Sequence, residues 1–173
     1  TLRGSGPIKK ILGKVLGNIF SHLKRLDRGA FVLVDPETLK RISSICSVNK
    51  SSGDIGASFS EEVIQSVLDA RKPLIFSKGY TEGKSALLDT LKVHKVESIV
   101  CIPLITGSRI MGAMYVESLK RPDGFRKDDL LTLFDIAQRV ALAAPGLELV
   151  HLLYRRVILR PCQQHGVTAL RHG

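Results

Sequence analysis

SIVCIPLITGSRIMGAMYVES, residues Ser98 to Ser118, holds two apolar runs separated by Gly107-Ser108. A glycine-serine pair between two such runs is what a tight hairpin turn needs. Strands are therefore predicted over 98–106 and 109–118, antiparallel to each other. A two-residue connection cannot serve parallel strands, which need a crossover of a dozen or more residues.

The same signal recurs upstream. GAFVLVD (29–35) runs into Asp35-Pro36-Glu37, a turn sequence, and RISSICSV (41–48) follows, so a first hairpin is expected there. NKSSGDIGAS (49–58) is polar and rich in Gly and Ser, hence a loop. Ser60 is a suitable N-cap for a helix that opens with Glu61-Glu62 and carries Val63, Ile64, Val67 and Leu68 at helical spacing. Pro73 stops that helix, and LIFS (74–77) reads as a strand. Gly79 to Thr81 reads as a loop and Ser85 to Leu91 as a short helix.

After a turn at Arg121-Pro122-Asp123-Gly124, Leu130, Leu131, Phe134, Ile136, Ala137, Val140 and Ala141 mark a closing helix. Asp128 and Asp129 sit in its first turn, and Pro145-Gly146 is expected to interrupt it. At the other end, Ile8, Leu12, Val15, Ile19 and Leu23 form a stripe over 8–26, with Ile11, Leu16 and Phe20 beside it, which predicts an amphipathic helix. Hairpins with helices between and outside them define an α+β fold.

The formal net charge is +10. Residues 1–28 carry seven Lys/Arg against one acid, and residues 145–173 four Arg against one Glu, which leaves 29–144 within one charge of neutral. The basicity belongs to the flanks, so no direct nucleic-acid contact by the central domain is expected. No apolar run approaches the length of a membrane span, and no membrane partner is expected. The N-terminus lacks the apolar core and cleavage site of a secretory leader. Cys46, Cys101 and Cys162 fit neither a zinc nor a disulfide framework, and no metal site is expected. A reduced, cytoplasmic setting follows as the expectation.

Gly83-Lys84-Ser85, inside FSKGYTEGKSALLDTL (76–91), imitates a phosphate-binding loop. Only Tyr80-Thr81-Glu82 separate Gly79 from the Gly-Lys pair, where such a loop needs four residues, and Glu82 would set an acid against a phosphate. A P-loop fold also needs parallel strands, which the hairpins contradict.

Ser98-Ile-Val-Cys-Ile-Pro-Leu, a turn, Ile110-Met-Gly-Ala-Met-Tyr-Val-Glu, and then Phe125, Asp129 and Leu130-Leu131 entering a helix together resemble a GAF domain. FSEEVIQSVLDARKPLIFS resembles the family's preceding helix and strand, and Ser85 sits where the family often opens a short helix. The resemblance covers about residues 15–144. It departs at Arg126, where the family usually has a Ser or Thr helix cap. Arg cannot accept a cap hydrogen bond, so about 1 kcal/mol of helix-start stability is expected to be missing.

The resemblance implies a GAF/PAS-like antiparallel sheet of five or six strands with helices on both faces. It also implies a regulatory module, without catalysis of its own, in a bacterial signalling protein such as a histidine kinase, a cyclase or an enhancer-binding transcription activator. The implied division is 1–28 as a linker and dimerisation helix, 29–144 as the GAF domain, and 145–173 as a tail. Leu147, Val150, Leu153, Tyr154, Val157 and Ile158 suit a short amphipathic helix. The tail from Pro161 reads either as native or as vector-derived, and no function is drawn from it.

GAF domains that bind cyclic nucleotides carry Asn-Lys, then Phe, then three residues and Asp-Glu. Here Asn49-Lys50 and Phe59 are followed by apolar Val63-Ile64, so the match is partial. Bilin attachment needs a Cys in a helical stretch, whereas Cys46 and Cys101 fall in strands. For haem, His94 is the central candidate besides those cysteines, and a lone His before a strand is weak support. No cofactor is expected. What remains is an apolar pocket with candidate lining residues Phe59, Phe76, Ser85, Leu88, Cys101 and Tyr115, open to an unidentified small molecule or filled as plain core.

The leading expectation is a sensor that dimerises through its terminal helices, using Ile8, Ile11, Leu12, Val15, Ile19 and Leu23, and signals to an effector domain. The alternatives are an enzyme, either a nucleotide hydrolase using Lys84 and Ser85 or a thiol redox enzyme using Cys101, and a cyclic-nucleotide-binding domain.

Overall fold

Both predicted hairpins form, and they meet in one sheet. The computed structural model describes residues 6–49, 59–78, 95–121 and 123–158. In chain order these contain α1 (Gly6–His22), β1 (Arg28–Val34), β2 (Arg41–Val48), α2 (Glu61–Ala70), β3 (Leu74–Ser77), β4 (Ser98–Thr106), β5 (Arg109–Ser118) and α3 (Lys127–Ile158). The five strands lie in the order β2-β1-β5-β4-β3, and each neighbouring pair is antiparallel. Lys50, Lys84, Ser85, Leu88, His94 and Cys162 lie outside the described residues.

The β4–β5 turn is Gly107-Ser108, closed by Thr106 opposite Arg109. Gly107 holds φ +60°, the sign that a type II′ turn demands of its first central residue. The β1–β2 turn is held by Asp35, whose Oδ1 accepts from the backbone N–H groups of Glu37 (3.0 Å) and Thr38 (2.8 Å). Those hydrogen bonds favour the charged carboxylate and lower its pKa.

Alternation along the strands divides the side chains between two cores. Phe31, Leu33, Val100, Ile102, Leu104, Met114 and Val116 face α1 and α3. Ala30, Val32, Ile99, Cys101, Ala113 and Tyr115 face α2, which contributes Val63, Ile64, Val67 and Leu68. The sheet is thus covered by helices on both faces, as expected. Central strand β5 is buried over nine of its ten residues.

Helix α2 starts as its sequence predicts. Ser60 is in an extended conformation, and its hydroxyl accepts from Val63 N at 3.4 Å. The helix ends at Ala70, where Arg71 turns left-handed (φ 54°), two residues before Pro73. Strand β3 pairs with Ser98–Cys101, and among the described residues no strand pairs with the outer edge of β4 beyond that stretch. Pro103 lies beyond it, opposite Ala113. Lacking an N–H, it deprives that edge of a donor that another strand could use.

Two expectations are corrected. Helix α1 stops at His22 rather than near residue 26. Helix α3 is not interrupted at Pro145-Gly146 but runs 32 residues to Ile158, and it absorbs the separate short helix expected over 147–158. A proline removes one helical hydrogen bond, and a helix can continue where the freed carbonyl finds another donor. At the other end of α3 the missing cap at Arg126 is partly made good. Asp129 Oδ2 accepts from Arg126 N at 3.0 Å, the reciprocal half of a capping box.

Gly112 fixes the approach of β5 to β1. Its φ is +152°, and a Cβ there would lie 2.0 Å from the carbonyl oxygen of Val32. Gly112→Ala must therefore move backbone, not a side-chain tip. We expect it to destabilise the fold by about 2–3 kcal/mol, read as a lower urea midpoint with an unchanged slope. A midpoint within error of the parent would mean that the two strands are not held at this spacing.

Candidate functional site

On the α2 side, one row across the sheet runs Cys46, Ala30, Tyr115, Cys101 and Leu74, and the next runs Val48, Arg28, Glu117, Ile99 and Phe76. Phe59, just before α2, sets its ring against Tyr115 with centroids 6.3 Å apart and planes inclined at 57°. Four predicted pocket residues, Phe59, Phe76, Cys101 and Tyr115, are thus brought to one face of the sheet. Ser85 and Leu88 fall outside the described residues.

The same face buries a polar centre that the sequence reading missed. Glu117 is 1% exposed and forms an ion pair with Arg28, its register partner on β1. The other carboxylate oxygen of Glu117 accepts from the Tyr115 hydroxyl. Burial, and then the negative charge of Glu117, push the Tyr115 pKa far above its ordinary value, so the phenol stays protonated and donates. The signal available in sequence was an acid two residues after an inward tyrosine in an apolar strand. Its cation lies 89 residues away, and only the β1–β5 register identifies it.

The remaining motif residues have structural partners. Asn49 is buried. Its Nδ2 donates to the Leu26 carbonyl and its N–H to the Asp27 carbonyl, both at 2.8 Å, which fastens the end of β2 to the α1–β1 connection. Val63 and Ile64, which stand where a cyclic-nucleotide motif has Asp-Glu, are buried in the apolar core. Cys101 is fully buried, and burial raises its pKa well above that of a free thiol. Cys46, half-buried, is also raised, by burial with partial relief from Arg41. Three strand spacings separate the two cysteines, about 14 Å. A disulfide needs Cα atoms within about 7 Å.

The opposite face carries the predicted interface residues, and the structure divides them. Ile8, Leu12 and Ile19 are buried in the domain's own core, under α1. Ile11 is 50% exposed, and Val15 and Leu23 are partly exposed. These three border a groove of 560 Å³ between α1 and α3, whose far wall is Ile136, Val140 and Ala143. Leu131 and Leu142 on α3 are also exposed, at 59% and 62%. The two helices run antiparallel: α1 ends and α3 begins at the sheet edge where Arg28 meets Glu117, and α3 reaches Thr106 at the other edge. No helix among the described residues is long and apolar enough to cross a membrane, and no cluster of His, Cys, Asp and Glu among them could hold a metal.

Among the described residues, a five-stranded antiparallel sheet carries one helix on an aromatic-lined face and the two terminal helices on the other, a two-faced α+β arrangement. The GAF domain model matches residues 8–144, and the chain belongs to that family. Among solved structures, the GAF domain of a two-component sensor histidine kinase from Bacillus halodurans is 26% identical (TM-score 0.52), covering 80% of this chain and 96% of that one. The blue-light absorbing form of the Thermosynechococcus elongatus PixJ GAF domain is 13% identical (TM-score 0.63), covering 93% and 98%. A type II free methionine-R-sulfoxide reductase from Thermoplasma acidophilum is 12% identical (TM-score 0.57), covering 84% and 96%. No curated protein matches the chain.

The buried positions generate two expectations. Glu117→Gln removes the buried carboxylate charge that faces Arg28 and should destabilise the fold by about 3 kcal/mol, whereas Tyr115→Phe should cost only about 1–2 kcal/mol. In a Cys46→Ser, Cys162→Ser protein, Cys101 should resist a thiol reagent until denaturant is added. Rapid reaction of the native protein would contradict the burial described.

Proposed function

We propose that this chain is the sensor and dimerisation module of a bacterial signal-transduction protein. A small molecule, or the packing state of the core itself, acts on the α2 face, and α1 and α3 carry the response across the sheet. One observation carries this reading: both terminal helices pack on the face opposite α2 and leave an apolar groove between them. The kinase-derived GAF domain at 26% identity supports the setting. The effector domain is the partner that α3 would reach. The helix continues 14 residues past Ala144, roughly 20 Å at 1.5 Å per residue.

The occupant of the groove is a second copy of the chain. Burying an Ile or Leu contributes about 1.5–3 kcal/mol, while association costs on the order of 4–15 kcal/mol. Ile11, Val15, Leu23, Ile136 and Leu142 from each of two protomers suffice. The buried Ile8, Leu12 and Ile19 contribute by holding α1 in place and not by direct contact.

The enzymatic alternatives have less support. The antiparallel sheet does not suit a P-loop hydrolase. The 14 Å separation, about three strand spacings, denies Cys101 a resolving partner in Cys46, and its raised pKa disfavours the thiolate. The likeness to the sulfoxide reductase is one of fold. For cyclic nucleotides, the apolar Val63-Ile64 pair offers no charge to close the site.

Native mass spectrometry of freshly purified protein tests the ligand, and a retained small molecule is expected on the ligand-binding branch. Calorimetry should give no micromolar binding of cyclic AMP or cyclic GMP. Sedimentation should show a dimer. Ile11→Glu with Ile136→Glu should give a folded monomer, whereas Leu12→Glu should unfold the domain. A parent monomeric at tens of micromolar would reduce α1 to a lid on its own sheet.

A further inference from the structure

Pro145 lies within α3, and a proline nitrogen carries no hydrogen. The carbonyl four residues earlier, that of Ala141, therefore lacks its usual helical donor, the N–H of residue 145. Ala141 is 1% exposed, so solvent cannot readily supply one. The donor comes from the sheet: Thr106 Oγ1 donates to the Ala141 carbonyl at 2.6 Å. Thr106 is the last residue of β4, beside the Gly107-Ser108 turn.

The position of this contact matters. Ala144 is in the domain's core, and Pro145 follows it. The helix thus loses a backbone hydrogen bond at the point where it leaves the sheet, which is where a helix bends most readily. The contact that replaces the bond comes from β4, the strand whose Cys101 faces the α2 core.

We propose that Thr106 and Pro145 form a latch that sets the direction in which the outgoing helix leaves the domain. The proline frees the Ala141 carbonyl, and the β4 hydroxyl captures it, so the helix is steered by the end of β4. A displacement of β4 releases the carbonyl and lets the segment beyond residue 145 swing. The meaning of this as regulation rests on α3 being the output helix. The latch itself is intramolecular, and it can fail while dimerisation or ligand binding stands.

The test compares the full chain with Thr106→Val, Pro145→Ala and the double variant. In the parent background, Thr106→Val should lower the folding equilibrium constant about tenfold, since a buried carbonyl loses the hydroxyl that donates to it. With Pro145→Ala, the residue 145 N–H can pair with Ala141, and Thr106→Val should then change the constant less than about twofold. Thr106→Ser, which keeps the hydroxyl, should match the parent. Spin labels at Lys72→Cys and His151→Cys, in a Cys46→Ser, Cys162→Ser chain diluted with unlabelled protein, should give a broader distance distribution with Thr106→Val and a parental one with Thr106→Ser. Equal effects of Thr106→Val in both backgrounds, no effect in either, a serine variant that behaves like valine, or an unchanged distribution would each overturn the proposal.

Discussion

Strand β5 has to serve two cores at once. Its residues alternate between α1 with α3 on one side and α2 on the other, and nine of the ten are buried. It also pairs with β1 and β4 along most of its length. Neither hairpin has a stable position without it, because β5 is the strand by which each meets the other. Gly112 permits the close approach to β1, and Gly107 allows the turn to β4. The rest of the architecture hangs on these two backbone allowances and on the side-chain alternation between them.

A polar centre lies within this apolar frame. Burying Glu117 and Arg28 costs solvation that their attraction repays only with good geometry and filled hydrogen bonds. The shared carboxylate, bonded to Arg28 on one oxygen and to Tyr115 on the other, meets that condition. It also ties Tyr115, which packs on Phe59, to β1. The aromatic side chain at the middle of the α2 face is therefore coupled through β5 and β1 to the edge where α1 ends. On the other side, α1 is both core and surface: Leu12 and Leu16 seal its own sheet while Ile11 remains exposed. That division is the basis of the dimerisation proposed above.

Local chemistry made much of the fold legible. Gly107-Ser108, Asp35-Pro36 and Ser60 before Glu61-Glu62 are signals contained in a few residues, and each produced the expected turn or cap. What failed depended on distant partners. Pro145 reads as a helix breaker until Thr106, 39 positions earlier, proves to satisfy the freed carbonyl. Arg126 reads as a poor cap until Asp129 turns back to it. The apolar stripe of α1 correctly marked a buried face, but periodicity does not say what covers that face. Ile8, Leu12 and Ile19 are covered by the domain itself. Glu117 gives no local signal, because its partner, Arg28, becomes a neighbour only through sheet register.

A β5 spine shared by both faces implies that neither face opens without the other. Native-state hydrogen exchange of the β5 amides from Ile110 to Val116 tests this most directly. These amides should be the slowest in the chain and exchange only through global unfolding. Val67→Ala on the α2 side and Leu133→Ala on the α3 side should each lower their protection by that variant's full loss of unfolding free energy. If the β5 amides respond to only one of the two substitutions, or exchange by openings well below the global stability, the faces are energetically separate and the account of a shared spine is wrong.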